Sequence, residues 1–186
     1  MPNYKKVVRD TIRTVVAHAS TGFNPQLSAI AATYGVSAFS IDWTLPSNNF
    51  AMSYVDEEEI DVSSLVTFPA ALLYTSSAVN DKLVKAKKFS GQVDAHLDFF
   101  LRYRALTDAE TADNDITNEQ AGADTESIAD AVEDAALECL EAGRAAMTAA
   151  GIRMVSYRVE RSPVRVYGDG PGQRVAIQLK INLEAN

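Results

Sequence analysis

The residues best placed to do chemistry are Asp94, His96 and Asp98, alternate positions in the stretch GQVDAHLDFFLRYR at 91–104. Successive side chains of an extended strand leave on opposite faces, so these three share one face. Two carboxylates flanking an imidazole can bind a divalent ion or tune a general base, which makes a small metal-dependent enzyme one reading of the chain. The bland reading is that alternate polar residues are what the outer face of any half-covered strand carries. Val93, Ala95, Leu97, Phe99, Leu101 and Tyr103 point one way, while Gln92, Asp94, His96, Asp98, Arg102 and Arg104 point the other, with only Phe100 breaking the polar side. That regularity favours a structural or interface role.

The remaining polar clusters carry less. The run DEEEID at 56–61 lacks the alternating oxygen ligands and turn glycine of an EF-hand loop, and reads as a solvated or inter-subunit charge run. The glycines at 168–172 join strand to strand, with no helix N-terminus following to receive a phosphate. His18 sits near the end of a helix, where the dipole favours it. No nucleophile elbow surrounds any serine, and no cofactor is implied.

The elements that must position these residues follow from periodicity. In 4–19, Val7, Val8, Ile12, Val15 and Val16 recur at helical spacing, with Lys5, Lys6, Arg9 and Arg13 elsewhere. Asn24-Pro25 reads as a cap and first-turn proline opening a shorter helix that Gly35 ends. The segment 36–64 reads as an irregular arm, with a short strand near 39–43. Its Trp43, Phe50, Met52 and Tyr54 are more aromatic and sulfur surface than a solvated loop carries, which makes them candidates for a subunit interface. The stretch LVTFPAALLYT at 65–75 is a strand whose Pro69 cannot donate to a ladder and so belongs at an edge or bulge. A basic connection with Lys82, Lys85, Lys87 and Lys88 precedes the long strand at 91–104.

Beyond that strand the composition shifts. No Lys or Arg occurs from 105 through 142. The first part, 105–124, has few apolar residues and reads as a flexible acidic loop carrying Asp108, Glu110, Asp113, Asp115, Glu119 and Asp124. A helix follows over 125–149, its stripe Ile128, Val132, Ala135, Cys139 and Gly143 facing the core. Two strands, 152–166 and 174–183, form a terminal hairpin, with Val155, Tyr157 and Val159 on the apolar side of the first. The expectation is one α+β domain over 1–186: an antiparallel sheet of about four strands with helices packed on one face.

Composition bounds the function. At 186 residues the chain can bury a core without staples, and its lone cysteine, Cys139, rules out an intrachain disulfide or thiolate cluster. A formal net charge of -8 argues against affinity built on phosphate neutralisation. Charges scattered through the N-terminal residues leave no continuous apolar stretch of the signal-peptide kind, and no stretch approaches a membrane span. A cytoplasmic site of synthesis and assembly is expected.

The order of these elements, with an edge strand of the type FPAALLY, a long alternating strand, a loop, an amphipathic helix and a hairpin ending in VAIQLKINLEAN, resembles the tail terminator (tail completion) proteins of long-tailed bacteriophages. The resemblance is one of topology over 1–32 and 65–186. It implies a non-enzymatic virion subunit at the tail–neck junction, forming a homo-oligomeric, hexameric ring. Such a ring caps the tail tube protein, meets the neck or head connector protein, and lets DNA pass through its lumen without specific binding. On that reading the acidic residues of 105–124 line the lumen or face the next ring, and the Pro69 strand, the arm and the hairpin make ring contacts. A neck or head-completion connector subunit of related fold is the alternative within the same class.

Overall fold

A computed structural model of the chain describes residues 4–52, 67–81, 90–102, 118–167 and 170–184. The long alternating strand is β3 (Ser90–Arg102), flanked on one side by β2 (Ala70–Asp81) and on the other by β6 (Gly170–Glu184), both antiparallel to it. β4 (Ile152–Arg161) pairs antiparallel with β6 and closes that side of the sheet. Two three-residue strands complete it. β1 (Phe50–Met52) lies parallel against Ala71–Leu73 of β2, and β5 (Arg165–Tyr167) pairs with the start of β6. The order β1-β2-β3-β6-β4 makes β3 central, as its alternation requires. The four long antiparallel strands are those expected; β1 and β5 are added to them, and β1 makes the sheet mixed.

The helices are α1 (Tyr4–Val16), α2 (Phe23–Ile30), α3 (Asn118–Ala142) and α4 (Arg144–Ala149), with a 3₁₀ turn at Ala31–Tyr34 extending α2. They cover one face of the sheet, so the fold is α+β. Val93, Ala95, Leu97, Phe99 and Leu101 of β3 meet Val8, Ile12 and Val16 of α1 and Val132, Ala135 and Leu140 of α3 in a single core. Alanines on α3 let its backbone come close, and Gly143 is the tightest point. A Cβ there would stand 2.2 Å from Val15 Cγ1, so only glycine fits between α1 and the α3–α4 junction.

Several local expectations are corrected. α1 ends at Val16, leaves Val7 36% exposed and buries Arg9, whose Nη1 donates to Thr75 Oγ1 at 2.6 Å. Gly22, not Asn24, caps α2. Asn24 instead brackets the backbone of Ile41, its Nδ2 donating to the Ile41 carbonyl (2.8 Å) and its Oδ1 accepting from the Ile41 N–H (2.9 Å). That clamp, with Asn49 Nδ2 donating to the Ser40 carbonyl (3.0 Å) and Asn49 Oδ1 accepting from the Asp42 N–H (3.0 Å), shapes 36–49 as a pinned loop where a strand at 39–43 was expected. Gly35 ends the 3₁₀ turn with φ of 68°, a conformation other residues resist.

Pro69 stands just before β2 and outside the ladder, which is how the strand tolerates it. β2 is not the edge strand, because β1 covers part of it, and it runs on through Asp81 where an exposed connection was expected. α3 begins at Asn118, inside the stretch read as loop. Residues 53–66, 82–89 and 103–117 lie outside the described residues. At the other edge, the register of β4 shifts between Met154 and Ser156, leaving Val155 (54%) and Tyr157 (48%) exposed where burial was expected. Pro163 then separates β4 from β5, consistent with an edge position.

Cys139 is buried against α1, its thiol 3.7 Å from the Val15 carbonyl, and burial pushes its pKa up to about 12 from 9.0. The unfolded chain therefore releases this proton at lower pH than the folded one. The stability tied to the neutral thiol is complete below pH 9 and is lost as pH rises from there to about 12. Urea unfolding at pH 8 and pH 10 should show the native chain losing on the order of 1 kcal/mol more than Cys139→Ala over this step. Equal losses would contradict it.

Candidate functional site

The helix-free face of the sheet carries Asp94, His96 and Asp98, as the alternation placed them. The strand register sets them in rows: Leu72, Asp98 and Ala176; Tyr74, His96 and Gln178; Asp94 beside Lys180. This face is not wet at its centre. Leu72, Tyr74, His96, Asp98 and Ala176 are all buried.

The buried polar residues there are engaged separately, although Asp98 Oδ1 has no hydrogen-bond partner among the described residues. Asp98, 1% exposed, accepts from Arg174 through Oδ2, with Nε at 3.1 Å and Nη2 at 2.5 Å. Arg174 sits one residue along β6 from the position opposite Phe99, so its side chain reaches diagonally to Asp98. Its Nη2 also lies 3.5 Å from the Tyr74 hydroxyl. The Tyr74 ring stacks on His96 at 4.6 Å with the planes 6° apart, and His96 Nε2 is 2.7 Å from Ser76 Oγ. Ser76 is brought there by a register shift in β2 between Thr75 and Ser77. A shallow cleft of about 440 Å³ opens beside His96, lined by Ser76, Asp94, Arg158, Gln178 and Lys180 among others. Its charges are mixed: Asp94 is the register partner of Lys180, and Arg158 pairs with Glu160 at 2.9 Å.

These contacts place the three candidate residues on one face without bringing them together. Residues two apart on a strand are separated by about 6–7 Å, and among the described residues no group of three His, Cys, Asp or Glu is placed to hold a metal. The metal-enzyme reading thus has no convergent centre there. Asp98 and His96 act instead as the pinned middle of a polar layer, with Arg174, Tyr74 and Ser76 as partners that periodicity alone did not reveal. The faint sequence signal was Arg174 itself, a cation opening a strand whose partner strand carries a carboxylate on the same face.

The acidic residues divide. Asp108, Glu110, Asp113 and Asp115 lie outside the described residues. Glu119 falls within α3, and Asp124 is half-buried in its first half. Further along α3 the acids are largely engaged. Arg161, at the end of β4, donates through Nη1 to Asp130 (2.6 Å) and through Nε to Glu133 (2.9 Å), with Glu126 3.9 Å away. Burial works against this guanidinium's charge, but the bonds to Asp130 and Glu133 outweigh it and hold its pKa above the ordinary value. Tyr34 donates to Asp134, which raises the phenol's pKa, and Arg144 pairs with Glu141. The helix acids therefore tie β4 and the 3₁₀ turn to α3 as well as adding negative charge.

The expected interface residues also divide. Trp43 and Phe50 are buried within their own chain, Trp43 edge-on to Phe23, Phe50 and Phe99 at 5.8, 5.0 and 6.4 Å. Their aromatic surface needs no partner to cover it. Met52 and Pro69 are half-buried, and Tyr54 lies outside the described residues.

Asp98→Ala should cost about 2–4 kcal/mol in urea unfolding because it strands Arg174 beside a buried layer, whereas Glu160→Ala, in an exposed pair, should cost under about 1 kcal/mol. Equal costs would show that the Asp98–Arg174 pair does not anchor this face. In comparison with known proteins, no family model and no curated protein matches the chain.

Proposed function

We propose that the chain is a structural virion subunit of the tail-terminator kind, working as a ring and not as an enzyme. The observation that carries this reading is the state of the two sheet edges. On one side β4 pairs only with β6 among the described residues and presents the half-exposed Val155 and Tyr157. On the other, β1 covers only Ala71–Leu73 of β2, and the rest of β2 has no further strand beside it among the described residues.

Exposed edges carrying apolar side chains are templates for pairing with another chain. The strand directions decide how. β2 and β6 run one way and β3 and β4 the other, so a neighbour displaced sideways without turning over sets its β2 antiparallel to β4. Such a contact joins two different surfaces and generates a ring when the rotation between copies closes. A ring seated on the tail tube would stop further subunits from adding and present its other face to the neck or head connector. Acidic groups around the bore would repel DNA phosphates and keep its passage free of sticking. The same geometry serves a neck or head-completion subunit, which differs only in its neighbours.

Val155 and Tyr157 are exposed in the single chain, so Val155→Lys with Tyr157→Lys should fold normally. Sedimentation should show the native chain as a ring-sized species and this variant as a 20.1 kDa monomer. A variant that still assembles would remove β4 from the contact. A native chain that stays monomeric alone and with tail tubes would overturn the ring.

A further inference from the structure

A second cleft, of about 640 Å³, lies between the latter half of α1 and the pinned loop, lined by Arg13, Thr14, Ala17, His18, Trp43 and Leu45 among others. Its volume is that of a ligand site, and its chemistry is one-sided. The chain has 25 acidic residues against 17 Lys and Arg, yet among the described residues no Asp or Glu lines this cleft. Two donors, Arg13 and His18, stand in its walls, and Trp43 lines it with its own N–H buried. Among the described residues Arg13 makes no ion pair or hydrogen bond through its guanidinium. The Thr21 N–H donates to His18 Nδ1 at 3.3 Å, which makes that nitrogen the acceptor and puts the ring proton on Nε2. Trp43, 7% exposed, keeps a buried Nε1–H with no hydrogen-bond partner among the described residues. A buried donor left without an acceptor is costly.

The hydroxyls beside them are already spent. Thr14 donates to the Asp10 carbonyl at 2.9 Å and Thr44 to Asp42 Oδ1 at 2.8 Å. The carbonyls of Arg13 and Val15 at the negative end of α1 accept from the N–H groups of Ala17 and His18, which blunts their repulsion of an anion. Ala17, the exposed Leu45 and the Trp43 ring supply an apolar shoulder. The arrangement fits carboxylates carried on a partly apolar body.

We propose that this cleft receives an acidic peptide segment, and that the segment is 56–61, DEEEID, of a neighbouring copy. This deepens the assembly reading and rests on it. The segment carries five carboxylates with Ile60 among them, complementary to a guanidinium and an imidazole N–H beside an apolar wall. It gives adjacent subunits a link separate from the β4 edge.

Trp43 is the only tryptophan, so its emission reports the cleft directly. The probe is a synthetic peptide of residues 55–62, VDEEEIDV, titrated into the Val155→Lys, Tyr157→Lys chain, whose assembly state sedimentation reads independently. The expected result is a saturable change in emission that weakens with added salt, is absent with the VNQQQINV peptide, and shifts to at least about tenfold weaker binding in Arg13→Gln. Arg13 is partly exposed and has no ion pair among the described residues, so this variant should fold. No saturable change, an equal response to the neutral peptide, or unaltered binding in Arg13→Gln would overturn the proposal. So would a response to inorganic phosphate at matched ionic strength with none to the peptide. Failure of the ring appears in sedimentation, and failure of the cleft in the titration.

Discussion

Everything in this fold depends on covering one face of β3. Phe99 stands at the centre of that face, stacked on Phe23 of α2 at 4.6 Å, with the Trp43 ring edge-on to both. Phe23 fixes where α2 begins, and Trp43 fixes where the pinned loop runs, because each must reach the same ring. Aromatic contacts of this kind add about 0.5–1.5 kcal/mol beyond the area they bury. The clamp of Asn24 on Ile41 then holds the loop in register with the helix. α1 and α3 fill the rest of the face, and Gly143 sets how closely they approach.

Because the helices all lie on one side, the opposite face must be stabilised by other means, and it is stabilised by polarity used in pairs. Asp98 with Arg174, and His96 with Tyr74 and Ser76, form a buried layer paired within itself, although Asp98 Oδ1 has no hydrogen-bond partner among the described residues. The same economy governs the acidic α3, whose carboxylates hold Arg161, Tyr34 and Arg144. At the margins, the β4 edge and the cleft beside Arg13 carry exposed groups with no partner among the described residues. The proposal that function lies in contacts between copies starts from these margins.

Much of this was legible from residue order. The period of two in 91–104 gave the central strand and its buried face, because a one-residue slip would have exposed Leu97 and Phe99 together. The valine spacing gave α1, and the last two long strands pair as the hairpin expected, although Gly170–Gly172, read as its turn, belong to β6 and 168–169 lie outside the described residues. The failures share a cause: side chains that satisfy partners distant in sequence. Asn24 looked like a cap but binds Ile41, Arg9 looked solvated but reaches Thr75, and Val155 looked buried until the register of β4 shifted. Asp94, His96 and Asp98 were correctly set on one face, yet spacing along a strand could not say that Arg174 and Ser76 would engage two of them separately. Trp43 and Phe50 looked like interface residues because loop sequence carries no sign of which aromatic rings fold back into the core.

The central claim is that identical copies act together around an axis, with no single pocket doing the work. Electron microscopy of the purified native chain, with class averages inspected for rotational symmetry, tests this most directly. The account predicts closed rings of repeated subunits with an open bore. A homogeneous field of single small particles, unchanged when tail tubes are added, would contradict it.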